Sequence, residues 1–264
     1  MGKPLAHLRH SRKVAAMRAE STTLVMAGAR EAHVVVNGLL ARGRRVVASL
    51  PEEERMFDAL RTPTRLGRFK NEDAMWTWMQ EQDVRTVIDA SHAFDDDVTA
   101  MVSGLCTAKG IRYLRLLRPP WRATLRDRWL SFPSIEAAAA SVPATARVFS
   151  NTGWLSLPDY AKFSGRRLYM RQTHSVSAQP PFGFVTLVPG SPPFSQFEEE
   201  NQFAELRITH LMCRNVGGAA SMSKLLAARA RSLPVLMIER RACPEHLPQV
   251  ETVVEALAWE ADQG

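Results

Sequence analysis

Short apolar runs separated by polar, periodic stretches fill the chain from residue 22 onward. Thr22-Thr23-Leu24-Val25-Met26-Ala27 is a β-prone run that ends in Gly28, and Glu31 to Ala41 then places apolar residues at the spacing of a helix packed on a sheet. Arg45 to Ser49 predicts a second strand. Asn71 to Gln82 predicts a helix with Trp76 and Met79 on one face, and Thr86 to Asp89 a third strand. Asp95 to Lys109 has the acidic first turn that suits a helix dipole, with Gly110 as its stop, and Ile111 to Leu117 is strand again. Such alternation predicts a parallel sheet.

Arg118-Pro119-Pro120-Trp121 interrupts the pattern, because consecutive prolines cannot donate to a ladder. A domain boundary is expected just beyond it. The second half repeats the logic, with strands at Arg147–Ser150, Arg167–Arg171, Phe184–Val188, Ile208–Cys213 and Val235–Ile238, and helices at Ser195–Leu206, Ala219–Arg231 and Leu247–Trp259. Gln172 to Gly183 and Pro189 to Pro193, rich in Ser, Pro and Gly, are expected as loops at the rim of the sheet. The expectation is an α/β protein of two domains with largely parallel sheets and a ligand cleft between them, residues 22–122 and 123–264, preceded by a basic extension over 1–21.

Composition narrows the function. Hydrophobic residues make up 45% of the 264, an ordinary globular value. The longest apolar runs, such as Pro234 to Ile238, fall far short of the roughly 20 residues a membrane span needs, and the first 21 residues lack the apolar core of an export signal. Cys106, Cys213 and Cys243 are widely spaced with no CxxC, which fits neither a disulfide framework nor a thiolate metal site, so a reducing cytoplasm is expected. Of the net charge of +7, residues 1–21 carry +4 through Lys3, Arg9, Arg12, Lys13 and Arg18 against Glu20. The mild excess elsewhere suits an anionic cofactor or a polycarboxylate substrate. It lacks the dense basic stripe of a nucleic-acid binder. A monomer is expected.

Three strand-to-helix turns carry the candidate chemistry. Ala27-Gly28-Ala29-Arg30-Glu31 is either a phosphate dock built from backbone N–H groups and a helix start, or an ordinary tight turn. In Asp89-Ala90-Ser91-His92-Ala93-Phe94, Ser91 and His92 are the polar candidates. The alternative is that Ser91 or Asp95 caps the next helix and His92 is structural. Asn215-Val216-Gly217-Gly218 runs into Lys224 and Arg229, as a second phosphate-friendly turn or as a plain turn with a solvated lysine.

The order of these turns, together with Arg118-Pro119-Pro120-Trp121, Asn151-Thr152-Gly153 and Pro189 to Phe194, resembles the precorrin-6A reductase family from about Thr22 to Arg240. The resemblance implies two Rossmann-like domains, the first binding the nucleotide, and reduction of precorrin-6A to precorrin-6B with NADPH in cobalamin biosynthesis. It further implies that Gly28, Ala29, Arg30 and Glu31 form the nucleotide turn, with Ser49 and Arg55 near the adenosine end. A basic residue beyond the second strand favours NADP over NAD. Ser91 and His92 would then serve the chemistry, His92 chiefly by positioning, and Arg118, Thr152, Asn215, Gly217, Gly218 and Lys224 would meet the tetrapyrrole. Ala29, Ala93 and Val216 stand where the family pattern has Thr, Pro and Ser. Alternatives are the cobalt-containing substrate, a non-catalytic tetrapyrrole-binding paralogue, or another dinucleotide enzyme.

Overall fold

In β1 (Thr22–Ala27) all six residues are buried, as a strand covered on both faces requires. Its alternate residues feed two separate cores: Val25 and Ala27 join one, Leu24 and Met26 the other. The computed structural model describes residues 21–51, 59–173 and 178–262. These fall into two compact units, 1–118 with 242–264, and 119–241.

The first unit holds β1, α1 (Glu31–Ala41), β2 (Arg45–Leu50), β3 (Thr64–Leu66), α2 (Glu72–Glu81), β4 (Val84–Ala90), α3 (Asp96–Lys109) and β5 (Arg112–Leu116). The second holds β6 (Trp129–Phe132), α4 (Ile135–Ser141), β7 (Arg147–Ser150), β8 (Arg167–Gln172), β9 (Val185–Pro189), α5 (Gln196–Glu205), β10 (His210–Arg214), α6 (Ser223–Ala230) and β11 (Val235–Ile238). The chain then returns to the first unit for β12 (Gln249–Val250) and α7 (Val253–Ala261).

The first sheet runs β12-β5-β4-β1-β2-β3 and the second β6-β11-β10-β7-β8-β9, with every pairing parallel. In the first, Val35, Val36 and Leu39 of α1 and Ala256 of α7 pack one face, while Met75 and Met79 of α2 and Val98 and Val102 of α3 pack the other. The first sheet has the strand order of dinucleotide folds, in which the connections reverse direction at the central pair. That pair is β1 and β4 here. The second sheet reverses in the same way at β7 and β10.

The expected extent of the second domain, 123–264, is corrected at its end. Gln249 and Val250 pair with Arg115 and Leu116 of β5, which carries the C-terminal segment onto the first sheet. The expected helix over Leu247–Trp259 starts later, because Thr252 and Glu255 form a capping box that fixes its first turn at Val253. The expected helix Ala219–Arg231 is also divided, into a three-residue 3₁₀ turn at Ala219–Ser221 and then α6.

A buried ion pair fixes the loop after β4. Asp89 is fully buried and Arg115 is 3% exposed. Asp89 Oδ1 accepts from the Ser91 N–H at 3.0 Å and from Arg115 Nη1 at 3.1 Å; Oδ2 accepts from the Thr99 hydroxyl at 2.9 Å and the Tyr113 hydroxyl at 2.8 Å. Arg115 also donates to the carbonyls of Asp89 at 2.8 Å, Ser91 at 3.2 Å and His92 at 3.2 Å. Burial and the Asp89 charge push the Tyr113 phenol far above its ordinary value, so it remains a donor.

Helices α2, α5 and α6 each stop at a non-glycine residue in the left-handed region, Asp83, Arg207 and Ser232, at φ 50°, 49° and 53°. Ser232→Gly relieves that strain and is expected to raise stability by up to about 1 kcal/mol in urea denaturation. Asp89→Asn leaves the Arg115 charge buried without its counter-ion. It is expected to cost about 3–5 kcal/mol by the same measurement.

Candidate functional site

At the reversal point of the first sheet, Gly28 leaves β1 directly against the loop leaving β4. A Cβ at Gly28 would lie 2.8 Å from the His92 nitrogen and 3.3 Å from the Ser91 Cα, so a side chain is excluded by the protein's own backbone. The Ala29 N–H already donates to the Ala90 carbonyl at 3.0 Å. Of the four residues expected in the nucleotide turn, Ala29 therefore has its amide committed to β4. Arg30 begins α1 with helical dihedrals, and no side chain caps the helix there. The Ala32 and His33 N–H groups donate to the Ala29 and Arg30 carbonyls at 3.1 and 3.3 Å, so the N–H groups of Arg30 and Glu31 are the ones that lie ahead of the helix's own bonding.

Glu31 ends in two unlike oxygens. Oε1 accepts from Arg118 Nη1 at 3.1 Å, whereas Oε2 is buried with no partner among the described residues. Arg118, expected at the substrate, thus forms an ion pair inside the first unit. Ser91 is 1% exposed and its Oγ has no hydrogen-bond partner among the described residues. It does not cap α3, and the Asp95 side chain makes no cap bond either. His92 is half-buried, and its Nδ1 accepts from the Phe94 N–H at 3.3 Å. The neutral ring then carries its proton on Nε2.

Beside these turns, at the carboxyl ends of β1 and β2, a cavity of about 160 Å³ is lined by Ser49 with Met26, Pro51, Phe69 and Met101, and by Arg68 and Asp97 at its polar side. Arg65 shapes its rim: the guanidinium donates to the Gly67 and Arg68 carbonyls and lies 3.7 Å from the Phe69 ring centroid. Ser49 thus lies in the cavity. Arg55 lies outside the described residues.

The second reversal point joins the ends of β7 and β10. Thr152 sits in a buried cluster of hydroxyls, where Ser150 meets Thr152 at 3.0 Å and Tyr160 at 2.7 Å, and Thr152 accepts from Ser156 at 2.7 Å. Burial pushes the Tyr160 phenol up to about 12, which keeps it protonated. Asn215 is 2% exposed, and its amide is spent on the backbone of Trp121 and on Glu239. Gly217 and Gly218 follow at φ 70° and 79°. Val216, where the family pattern has a hydroxyl, packs its side chain on the core cluster of Phe149, Phe203 and Leu225.

Lys224 was expected to face a ligand, but it is 5% exposed and its Nζ donates to the Ser221 carbonyl at 2.6 Å. Burial pushes its ammonium below its ordinary value, against the opposing pull of Cys213 and Glu199. Thr152, Asn215 and Lys224, expected at the substrate, make hydrogen bonds within the second unit: Thr152 to Ser150, Ser156 and Tyr160, Asn215 to Trp121 and Glu239, and Lys224 to Ser221. Glu199 in turn pairs with Arg171 at 2.9 Å, both buried.

Asp89, Thr99, Tyr113 and Arg115 as a set, and Trp121 as a hydrogen-bonding centre, emerge only in the fold. The available signal was a carboxylate inside the apolar run Val87-Ile88-Asp89, opposite a strand that also carries Tyr113 and Arg115. Buried charges in a sheet need partners close by.

The model of the family described as precorrin-6x reductase CbiJ/CobK matches residues 22–261. A precorrin-6A reductase of Rhodobacter capsulatus is 31% identical over 242 residues, covering 91% of this chain and 96% of that protein. One of Rhodococcus erythropolis is 28% identical over 239 residues, covering 89% and 96%. A solved structure of CobK precorrin-6A reductase superposes with a TM-score of 0.84 at 30% identity, covering 92% of this chain and 97% of its own. No helix among the described residues is long and apolar enough to cross a membrane. With its matched region spanning both reversal points, the chain belongs to the precorrin-6x reductase CbiJ/CobK family.

Proposed function

We propose that this protein reduces precorrin-6A to precorrin-6B in cobalamin biosynthesis, with NADPH as the hydride donor. The observation that carries the reading is the likeness, over more than nine-tenths of the chain, to relatives named precorrin-6A reductase. The local geometry supports it in two ways. The first sheet has the dinucleotide strand order, and its reversal point gathers an uncapped helix start with a buried, unpartnered hydroxyl on Ser91.

These residues fit a dinucleotide. The N–H groups of Arg30 and Glu31 at the start of α1 would hold its phosphates, and the cavity lined by Ser49 and Phe69 would take the adenosine end. Arg68 joins Arg30 and Arg55 as a basic group for a 2′-phosphate, the feature that separates NADPH from NADH. When bound, NADPH supplies a hydride to one carbon of the macrocycle, and a proton from water or an acid completes the addition.

The chain's own residues chiefly orient. The Asp89–Arg115 pair holds the Ser91 and His92 carbonyls, so the Ser91 hydroxyl and the His92 ring are presented from a fixed loop. A fixed loop lowers the entropic part of the barrier. His92, with its proton on Nε2, is assigned to positioning first, and the proton that completes the addition comes from water or an acid. In the second unit, Gly217 and Gly218 are assigned to the substrate, with Thr152, Asn215 and Lys224 as the scaffold behind them.

The activity is checked by anaerobic incubation with precorrin-6A. NADPH is expected to be oxidised one for one with a product two hydrogens heavier, at a rate well above that with NADH. Tetrapyrrole binding without NADPH oxidation would instead indicate a binding protein. Ser91→Ala separates function from stability: removing an unsatisfied buried hydroxyl leaves the melting temperature unchanged or higher, while the Kd for NADPH rises about tenfold. An unchanged Kd would remove Ser91 from the cofactor site.

A further inference from the structure

Trp121 lies outside the turns assigned above, yet three parts of the 215–224 segment converge on it. Its main-chain N–H donates to Asn215 Oδ1 at 2.8 Å, and its carbonyl accepts from Asn215 Nδ2 at 3.1 Å. Its indole Nε1–H donates to the Gly218 carbonyl at 2.8 Å. The Lys224 ammonium lies 5.2 Å from its ring centroid while bonded to Ser221. Trp121 is 7% exposed and Asn215 2%, so the two bonds between the Asn215 amide and the Trp121 main chain are shielded from water, while the Gly218 carbonyl is half-buried.

The bond to Gly218 falls where the backbone has most freedom. Gly217 has φ 70°, and Gly218 has φ 79° and ψ 161°, a region open essentially to glycine alone. Two glycines leave the turn many conformers, and an outside restraint must select one. A trans peptide sets its C=O and N–H in opposite directions. The indole that holds the Gly218 carbonyl therefore also aims the Ala219 N–H away from itself. Asn215 fixes the entry to the same turn from the Trp121 main chain.

We propose that Trp121 is the positioning residue of the 215–218 turn, holding the Gly217-Gly218 backbone in the one conformation that meets the macrocycle. The proposal rests on the assignment of that turn to the substrate. It gives the tryptophan of Arg118-Pro119-Pro120-Trp121 a role in substrate affinity that its place at the start of the second unit does not suggest.

Steady-state kinetics of the full chain with precorrin-6A and NADPH test it. Trp121→Phe keeps an aromatic face beneath Lys224 and removes the Nε1 donor. The KM for precorrin-6A is expected to rise about tenfold, with kcat within about twofold and the KM for NADPH unchanged. Gly218→Ala disturbs the turn with Trp121 intact and is expected to raise the same KM. If Gly218→Ala leaves that KM unchanged, the turn is not a substrate site, and the assignment beneath the proposal fails. If Gly218→Ala raises it and Trp121→Phe does not, the proposal alone is overturned. A joint rise of both KM values in Trp121→Phe marks general loss of structure and also overturns it. Should Trp121→Phe fail to fold, benzothienylalanine at position 121 keeps the bicyclic shape and removes only the donor. The same selective rise is expected there, and an unchanged KM for precorrin-6A refutes the proposal.

Discussion

A fully buried carboxylate at the end of a central strand can persist only if every oxygen is answered, and at Asp89 every answer comes from the region around the first reversal point. The Ser91 N–H, the Thr99 and Tyr113 hydroxyls and Arg115 all converge on it. The same guanidinium then reaches two carbonyls of the outgoing loop. Replacing such a pair with apolar residues often costs a protein little, whereas breaking it costs a great deal. Its value here lies in location, because the loop it holds leaves β4 within van der Waals contact of Gly28 at the end of β1. The closeness of the two loops, more than any feature of the glycine by itself, excludes a side chain at position 28.

The second unit reaches a comparable arrangement by other means. Its reversal point also has a loop from the central strand and a glycine turn from the neighbouring strand. The supports are a cluster of hydroxyls around Thr152 and a clamp in which the Trp121 main chain bonds the Asn215 amide and its indole donates to the Gly218 carbonyl. One unit uses a buried charge and the other uses neutral hydrogen bonds. Lys224 and the Arg171–Glu199 pair keep the remaining charge nearby but turned inward.

Periodicity made most of the architecture legible. Arg147–Ser150 and Val235–Ile238 are strands with both predicted ends, and the helix predicted from Asn71 to Gln82 has those two residues as its caps. Short edge strands were missed: β3 and β6 are partly exposed and carry little alternation. The return of β12 and α7 to the first sheet was also missed, since it depends on pairing between Gln249 and Arg115, far apart in the chain. At the sites, the turns themselves were visible as glycine between strand and helix. What the sequence hid was which polar atoms are consumed internally. Ala29, Asn215 and Lys224 look like ligand contacts in a linear reading, and only the fold shows their partners at Ala90, Trp121 and Ser221.

The central claim is that the loop held by Asp89 and Arg115, together with the start of α1, receives the cofactor. Amide hydrogen exchange of the full chain with and without saturating NADPH tests it most directly. The account predicts that added protection concentrates in residues 28–32 and 91–94, with smaller changes around 49 and 67–69. Protection confined to 151–153 and 215–219, with 28–32 and 91–94 unchanged, would contradict it.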